Sequence, residues 1–150
     1  MRALSFIFIF MFCTTGHCIA EQTSIQQILQ DKSTLILKSS RKTIEPAIDA
    51  VVRSGLPQAK SVLEAWKDKK LWMKKHNGLF FLGKKIDKKN YELIDFETGT
   101  PIGIYKKSEL KQIKPNSGIR ALIANALVRF QLSDRNPNVR ITALKAIERE

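Results

Sequence analysis

Apolar residues change their spacing along the chain, and each change marks a different kind of element. Ile44, Ala47, Ile48, Val51 and Val52 recur at three- and four-residue steps, which predicts a helix from about Thr43 with these side chains on one face. Gly55 breaks the pattern and Pro57 restarts it, because a proline in a first turn lacks only an N–H that the helix does not use. The second helix is predicted to run to about Lys69, with Ala59, Val62, Leu63 and Trp66 inward, so that the two form a helical hairpin. Upstream, residues 21 to 42 are polar except for Leu35, Ile36 and Leu37 and a short helical pattern from Ser24 to Leu29.

Between Leu71 and Ile113 the helical stripe gives way to short apolar stretches separated by turn residues. Asn77-Gly78 is a strong hairpin signal, since both residues tolerate the positive φ of a type I′ turn. It separates Leu71-Trp72-Met73 from Leu79-Phe80-Phe81-Leu82. A second hairpin is predicted from Tyr91–Phe96 and Ile102–Tyr105 around Glu97-Thr98-Gly99-Thr100-Pro101. The expectation is an antiparallel sheet of three or four strands, which needs packing on one face and should lean on the helices. Alternation along a strand would turn one of Phe80 and Phe81 away from the core, making this pair a candidate docking surface.

Helical spacing returns after Asn116-Ser117, an N-cap signal, with Ile119, Leu122, Ile123, Ala126, Leu127 and Phe130. Ser133-Asp134-Arg135-Asn136 interrupts it. Pro137 opens a last helix expected to turn Val139, Ala143, Leu144 and Ile147 inward. That helix reaches Glu150 with no glycine cap, so the chain reads as truncated there.

The first twenty residues follow a different logic. Met1-Arg2 is followed by an apolar run over residues 3 to 13, and at about 11 residues this run is too short to span a bilayer as a helix. It has the length of a signal-peptide core. Cys18-Ile19-Ala20 places small side chains where a signal peptidase needs them, which predicts cleavage between Ala20 and Glu21. The readings set against cleavage are an uncleaved anchor or a buried strand. Both cysteines, Cys13 and Cys18, lie in this leader, so an exported mature chain would hold no thiol for a disulfide, a nucleophile or a zinc site. The mature chain of about 130 residues is long enough to bury a self-supporting core.

Charge adds the next constraint. The chain carries 26 Lys and Arg against 14 Asp and Glu, a formal net charge of +12, with 43% hydrophobic residues, too many for a wholly disordered chain. From 67 to 89 there are nine lysines, Lys67, Lys69, Lys70, Lys74, Lys75, Lys84, Lys85, Lys88 and Lys89, against Asp68 and Asp87. This candidate basic surface suits anionic lipid headgroups or another polyanion; export argues against nucleic acid as the partner. The competing reading is a solvated lysine face with no ligand. His76 is the one histidine after the leader and sits beside the Asn77-Gly78 turn, a poor place for a catalytic base. No His-x-x-x-His pair, GxGxxG or GxxxxGK[ST] occurs. No catalytic residue, metal ligand or cofactor site is therefore assigned, and the expectation is a protein that is not an enzyme.

Two helical pairs, each with a proline opening the second helix, resemble HEAT-like repeats, and Asn136-Pro137-Asn138-Val139-Arg140-Ile141-Thr142-Ala143-Leu144 resembles their second-helix signature. The wider order is an exported start, Arg53-Ser54-Gly55 at a helical break, a basic insert, Leu93-Ile94-Asp95 with Thr98-Gly99, Leu110, and Ser133-Asp134 with Asn136-Pro137 and Val139-Arg140. That order, over essentially the whole chain, resembles the amino-terminal extracytoplasmic region of the urea ABC transporter permease subunit family (UrtB), which precedes a multi-span permease like those of branched-chain amino acid importers. The resemblance implies an exported, mainly α domain of HEAT-like pairs with a small antiparallel β insert at about 71–113, on the periplasmic side of the inner membrane. It implies as partners a second permease subunit, cytoplasmic ATPase subunits and a periplasmic urea-binding protein. The module itself would dock or organise these components. The alternative is a free secreted basic domain that binds polyanions or an anionic membrane surface.

Overall fold

The computed structural model describes residues 23–132 and 136–148, so the leader and the expected cleavage point at Ala20 and Glu21 lie outside the described residues. The first described element is α1 (Ile25–Asp31), capped by the Ser24 hydroxyl, which accepts the Gln27 N–H at 3.1 Å. Ile25 and Leu29, four residues apart, are buried on its inner face. Lys32 alone separates it from α2 (Ser33–Leu37), which buries Ile36. The apolar triplet Leu35-Ile36-Leu37 is thus a helical turn against the core.

The helices expected from the apolar stripes follow. α3 (Glu45–Arg53), with Pro46 in its first turn, buries Ala47, Ile48 and Val51. α4 (Ala59–Lys67) begins two residues after Pro57 and buries Ala59, Val62, Leu63, Ala65 and Trp66. α5 (Ser117–Leu132) starts where Asn116 Oδ1 accepts the Ile119 N–H at 2.9 Å, and it packs across both α3 and α4. α6 (Pro137–Ile147) is capped by the Asn136 side chain and packs on α5. Asp49 on α3 pairs with Arg129 on α5 at 3.6 Å and with Arg53 at 3.9 Å, tying the two helices at the surface.

Between α4 and α5 lies a five-stranded antiparallel sheet of β1 (Leu71–Lys74), β2 (Phe80–Lys85), β3 (Asn90–Ile94), β4 (Pro101–Lys106) and β5 (Leu110–Gln112), in the order β4-β3-β2-β1-β5. The first four strands form a meander and β5 returns to β1, placing Trp72 opposite Gln112 and Lys74 opposite Leu110. This topology forces curvature. Five strands at about 4.8 Å spacing would hold β4 and β5 about 19 Å apart in a flat sheet. The 3₁₀ turn Lys107–Glu109 is all that joins them, and even an extended link from Lys106 to Leu110 reaches at most about 14 Å. The sheet therefore curls towards a barrel. The curl is visible where Lys74 Nζ on β1 comes within 3.2 Å of Tyr105 Oη on β4, three places away in the sheet.

Curling gives the sheet two cores. Phe80, Leu71, Phe96 and Ile113 join the main cluster with the helices, with Met73 and Leu82 packed against it. Trp72, Phe81, Leu93 and Leu110 form a second cluster, flanked by Leu79, Tyr91 and Tyr105. Beside the apolar cluster that sheet and helices share, Gln26 of α1 makes a polar junction between the layers. Its amide oxygen accepts the Phe80 N–H at 3.0 Å, and its nitrogen donates to Phe80 O. β3 stops where Ile94 pairs with Leu82, so the Gln26 side chain takes the place of a strand neighbour at Phe80.

The expected mainly α, HEAT-like fold is corrected to a mixed α/β fold, with 48% helix and 20% strand. The sheet has one strand more than the upper expectation, and it carries its own core instead of serving only as an appendage to helices. β5 escaped the apolar pattern because Leu110-Lys111-Gln112 is too short to show alternation. The last helix also differs from expectation. Ala143 is buried and Val139 half-buried, but Leu144 and Ile147, expected inward, are exposed. Among the described residues α5 is the neighbour that α6 packs on, and one neighbouring helix covers one narrow face.

Candidate functional site

The lysine-rich stretch runs from the end of α4 into the curled sheet, and the fold divides its lysines into sets. Lys67 closes α4, and its chain leaves the helix through Lys69 at φ 61°. The Lys69 N–H donates to Trp66 O and the Lys70 N–H to Ala65 O, so a lysine occupies the left-handed position that usually suits glycine. This turn sets Lys69 and Lys70 at the entrance to β1. The Gly83 N–H donates to Lys70 O at 2.8 Å, bringing β2 and its Lys84 and Lys85 alongside.

Gly83 shapes what lies between them. A Cβ built there would sit 2.2 Å from Trp72 Cδ1, so the bare backbone is what allows the indole to lie across β2. Trp72 and Tyr91 then meet with ring centroids 4.2 Å apart. The outcome is a cleft of about 460 Å³ with Lys69, Lys70, Lys84 and Lys85 at its rim and Trp72, Tyr91 and Gln112 in its walls. Gln112 is fixed by donating to Lys69 O at 2.8 Å. A larger hollow of about 550 Å³ lies between α1 and α3, where Asp31, Lys32 and Arg53 mix both signs of charge.

A second set gathers at the β2–β3 tip, Lys84-Lys85-Ile86-Asp87-Lys88-Lys89. Asp87 builds the turn: its Oδ1 accepts the backbone N–H of Lys89 (2.7 Å) and of Asn90 (2.8 Å), and its Oδ2 accepts from Asn90 Nδ2 at 2.8 Å. Hydrogen bonds from the Asn90 side chain, then from the Lys89 and Asn90 backbone, together with the Lys85 charge, hold its carboxyl below the ordinary aspartate value. Ile86 is 50% exposed among these lysines, and Ile104 on β4 is 62% exposed. Lys84, Glu92 and Ile104 are in register across β2, β3 and β4, with Lys84 and Glu92 paired at 3.8 Å, so they share one outer face.

Two of the nine lysines are engaged elsewhere. Lys74 turns to the curled face, where its Nζ lies 3.2 Å from Tyr105 Oη and 4.2 Å from the ring centroid. Strands β1 and β4 are three places apart in the sheet, so this contact exists only because the sheet curls. Lys75 Nζ donates to Ser108 O at 2.7 Å and braces the 3₁₀ turn. His76 is exposed in the β1–β2 loop. In that loop Gly78 has φ 71° and Asn77 does not adopt a positive φ. The type I′ expectation is therefore replaced by a longer loop in which Asn77 Oδ1 accepts the Leu79 N–H at 3.2 Å.

The aromatic docking pair is corrected. Phe80 and Phe81 do point to opposite faces, but both are buried, Phe80 in the main core and Phe81 in the second. Alternation predicts the opposed directions, and only the curl explains why neither face is open. Among the described residues the exposed large apolar side chains are instead Ile86, Ile102 and Ile104 and, on α6, Ile141, Leu144 and Ile147, which are 49%, 57% and 49% exposed. Among the described residues no three His, Cys, Asp or Glu side chains converge as a metal site, and no helix is long and apolar enough to cross a membrane. Comparison with protein-family models, curated proteins and solved structures finds no match to this chain.

Proposed function

We propose that this chain is the exported amino-terminal module of a urea ABC transporter permease of the UrtB type, and that it works as a docking piece with no reaction of its own. The observation that supports this reading is the stripe Ile141, Leu144 and Ile147 on α6, which no described residue covers. Three large aliphatic side chains at three-residue steps form a continuous apolar strip along one side of a helix. Burying the exposed part of each would contribute about 1 kcal/mol, enough together to steer a protein contact. In an extracytoplasmic module the partner that meets this strip is the periplasmic urea-binding protein, held beside the permease that receives its cargo.

Co-purification tests the reading. The full chain carrying an affinity tag should retain the urea-binding protein at tens of micromolar, and Leu144→Glu should release it without loss of helical content. Absence of a complex, or a complex indifferent to Leu144→Glu, would count against the docking role.

A further inference from the structure

We infer that the outer face of the curled sheet is a lipid-contact surface, with Ile86 at the β2–β3 tip entering the headgroup layer of an anionic bilayer while Lys84, Lys88 and Lys89 hold the headgroups around it. The inference is independent of the transporter reading. It rests on what the fold does to a charge run that, as a sequence, is equally consistent with a solvated surface.

Consider first the tip's composition. A lysine cluster meant only for solvent has no use for a large aliphatic side chain at its centre, yet Ile86 is half exposed between two lysine pairs. Asp87, the acidic residue of the tip, is turned back into the loop, where three hydrogen bonds occupy its carboxylate oxygens. The tip is thereby preorganised, and its outward groups are cationic and apolar. Ile86 also continues the ladder, its N–H donating to Asn90 O at 3.1 Å, which fixes where it points.

The surface extends beyond the tip. Two residues before Ile86, Lys84 is in register with Glu92 and, through it, with Ile104 on β4; Asn90 is in register with Lys106. By the two-residue alternation of strands, Ile86 falls on the side that carries Lys84 and Ile104. On this face Ile86 stands between Lys84 and Lys88, and Ile104 stands beside Lys106 and opposite Glu92, whose charge Lys84 offsets, so two exposed isoleucines share a face of net positive charge that matches an interface apolar within and negatively charged at its surface. A soluble polyanion would be satisfied by the lysines and would leave both isoleucines in water.

The test uses the full chain carrying Ile86→Trp, because a reporter at this position reads the tip whatever the amino-terminal leader does. Vesicles of equal parts phosphatidylglycerol and phosphatidylcholine, with acyl chains brominated near the headgroup, should quench the added tryptophan and shift its emission to the blue at physiological salt. Pure phosphatidylcholine vesicles should leave it unchanged, and adding Lys88→Glu with Lys89→Glu should weaken the quenching at least about tenfold. A parallel Ile104→Trp chain should show the same lipid dependence. Unaltered tryptophan emission on anionic vesicles overturns the proposal, as does equal quenching by zwitterionic vesicles. Heparin binding by a chain that shows no lipid quenching assigns the face to soluble polyanions and overturns it equally.

Discussion

At Gly83 the space that a methyl group would occupy is already filled by the Trp72 indole, 2.2 Å from an ideal Cβ. Gly83→Ala should therefore destabilise the protein by about 1–3 kcal/mol in urea denaturation, as overpacked sites do, and a change under about 0.5 kcal/mol would contradict the packing described. Lys69 presents the reverse case. A lysine held at φ 61° carries a cost of about 1–2 kcal/mol that glycine escapes, so Lys69→Gly should raise stability by about 1 kcal/mol. Asp87 carries the pH dependence at this scale. Its folded pKa lies below the ordinary value, so its contribution to the turn is present above that value and fades as pH falls through the lowered one. An NMR titration should give a midpoint below the ordinary aspartate range, with the Lys89 and Asn90 amides moving together; an ordinary midpoint would mean the carboxylate does not hold the turn. None of these three roles is legible in the sequence. A glycine flanked by Leu82 and Lys84 carries no mark of the tryptophan that crosses it, and Asp87 looks like one acid lost among lysines.

Helices were the most legible elements, because a stripe at three- and four-residue steps survives whatever lies opposite. α3, α4 and α5 follow their stripes closely. The four longer strands also follow the apolar runs, but the direction of their faces did not translate into exposure. Phe80 and Phe81 show why: alternation assigns opposite faces, whereas burial depends on what the curled sheet folds over. Replacing either phenylalanine with alanine should cost about 3–5 kcal/mol, and thermal unfolding of the two variants should fall together. A Phe81→Ala protein as stable as the parent would restore Phe81 as a surface side chain. α6 errs in the other direction, since its apolar residues exceed what α5 covers, leaving Ile141, Leu144 and Ile147 exposed among the described residues. A helix read alone shows which residues prefer burial and not how many neighbours it will have.

For the whole molecule, the decisive feature is a connection of three residues, Lys107–Glu109, between strands at opposite edges of one sheet. It converts an expected β insert into a curled sheet with a second core, and it sorts the lysines: Lys74 and Lys75 become braces, Lys67 closes α4, and the others lie around the cleft and the tip. The overall charge was legible from composition, but this sorting was not, because it depends on which strands the short turn draws together. Among the described residues the helical layer meanwhile leaves the α6 strip of Ile141, Leu144 and Ile147 uncovered, and the docking role depends on that strip. The most direct measurement is site-specific photo-crosslinking in cells, with the reactive group carried by the full chain at position 144. The account predicts a crosslink to the urea-binding protein that disappears when the group is moved to the buried position 143. Equal crosslinking from both positions, or none from 144 with the urea transporter present, would contradict it.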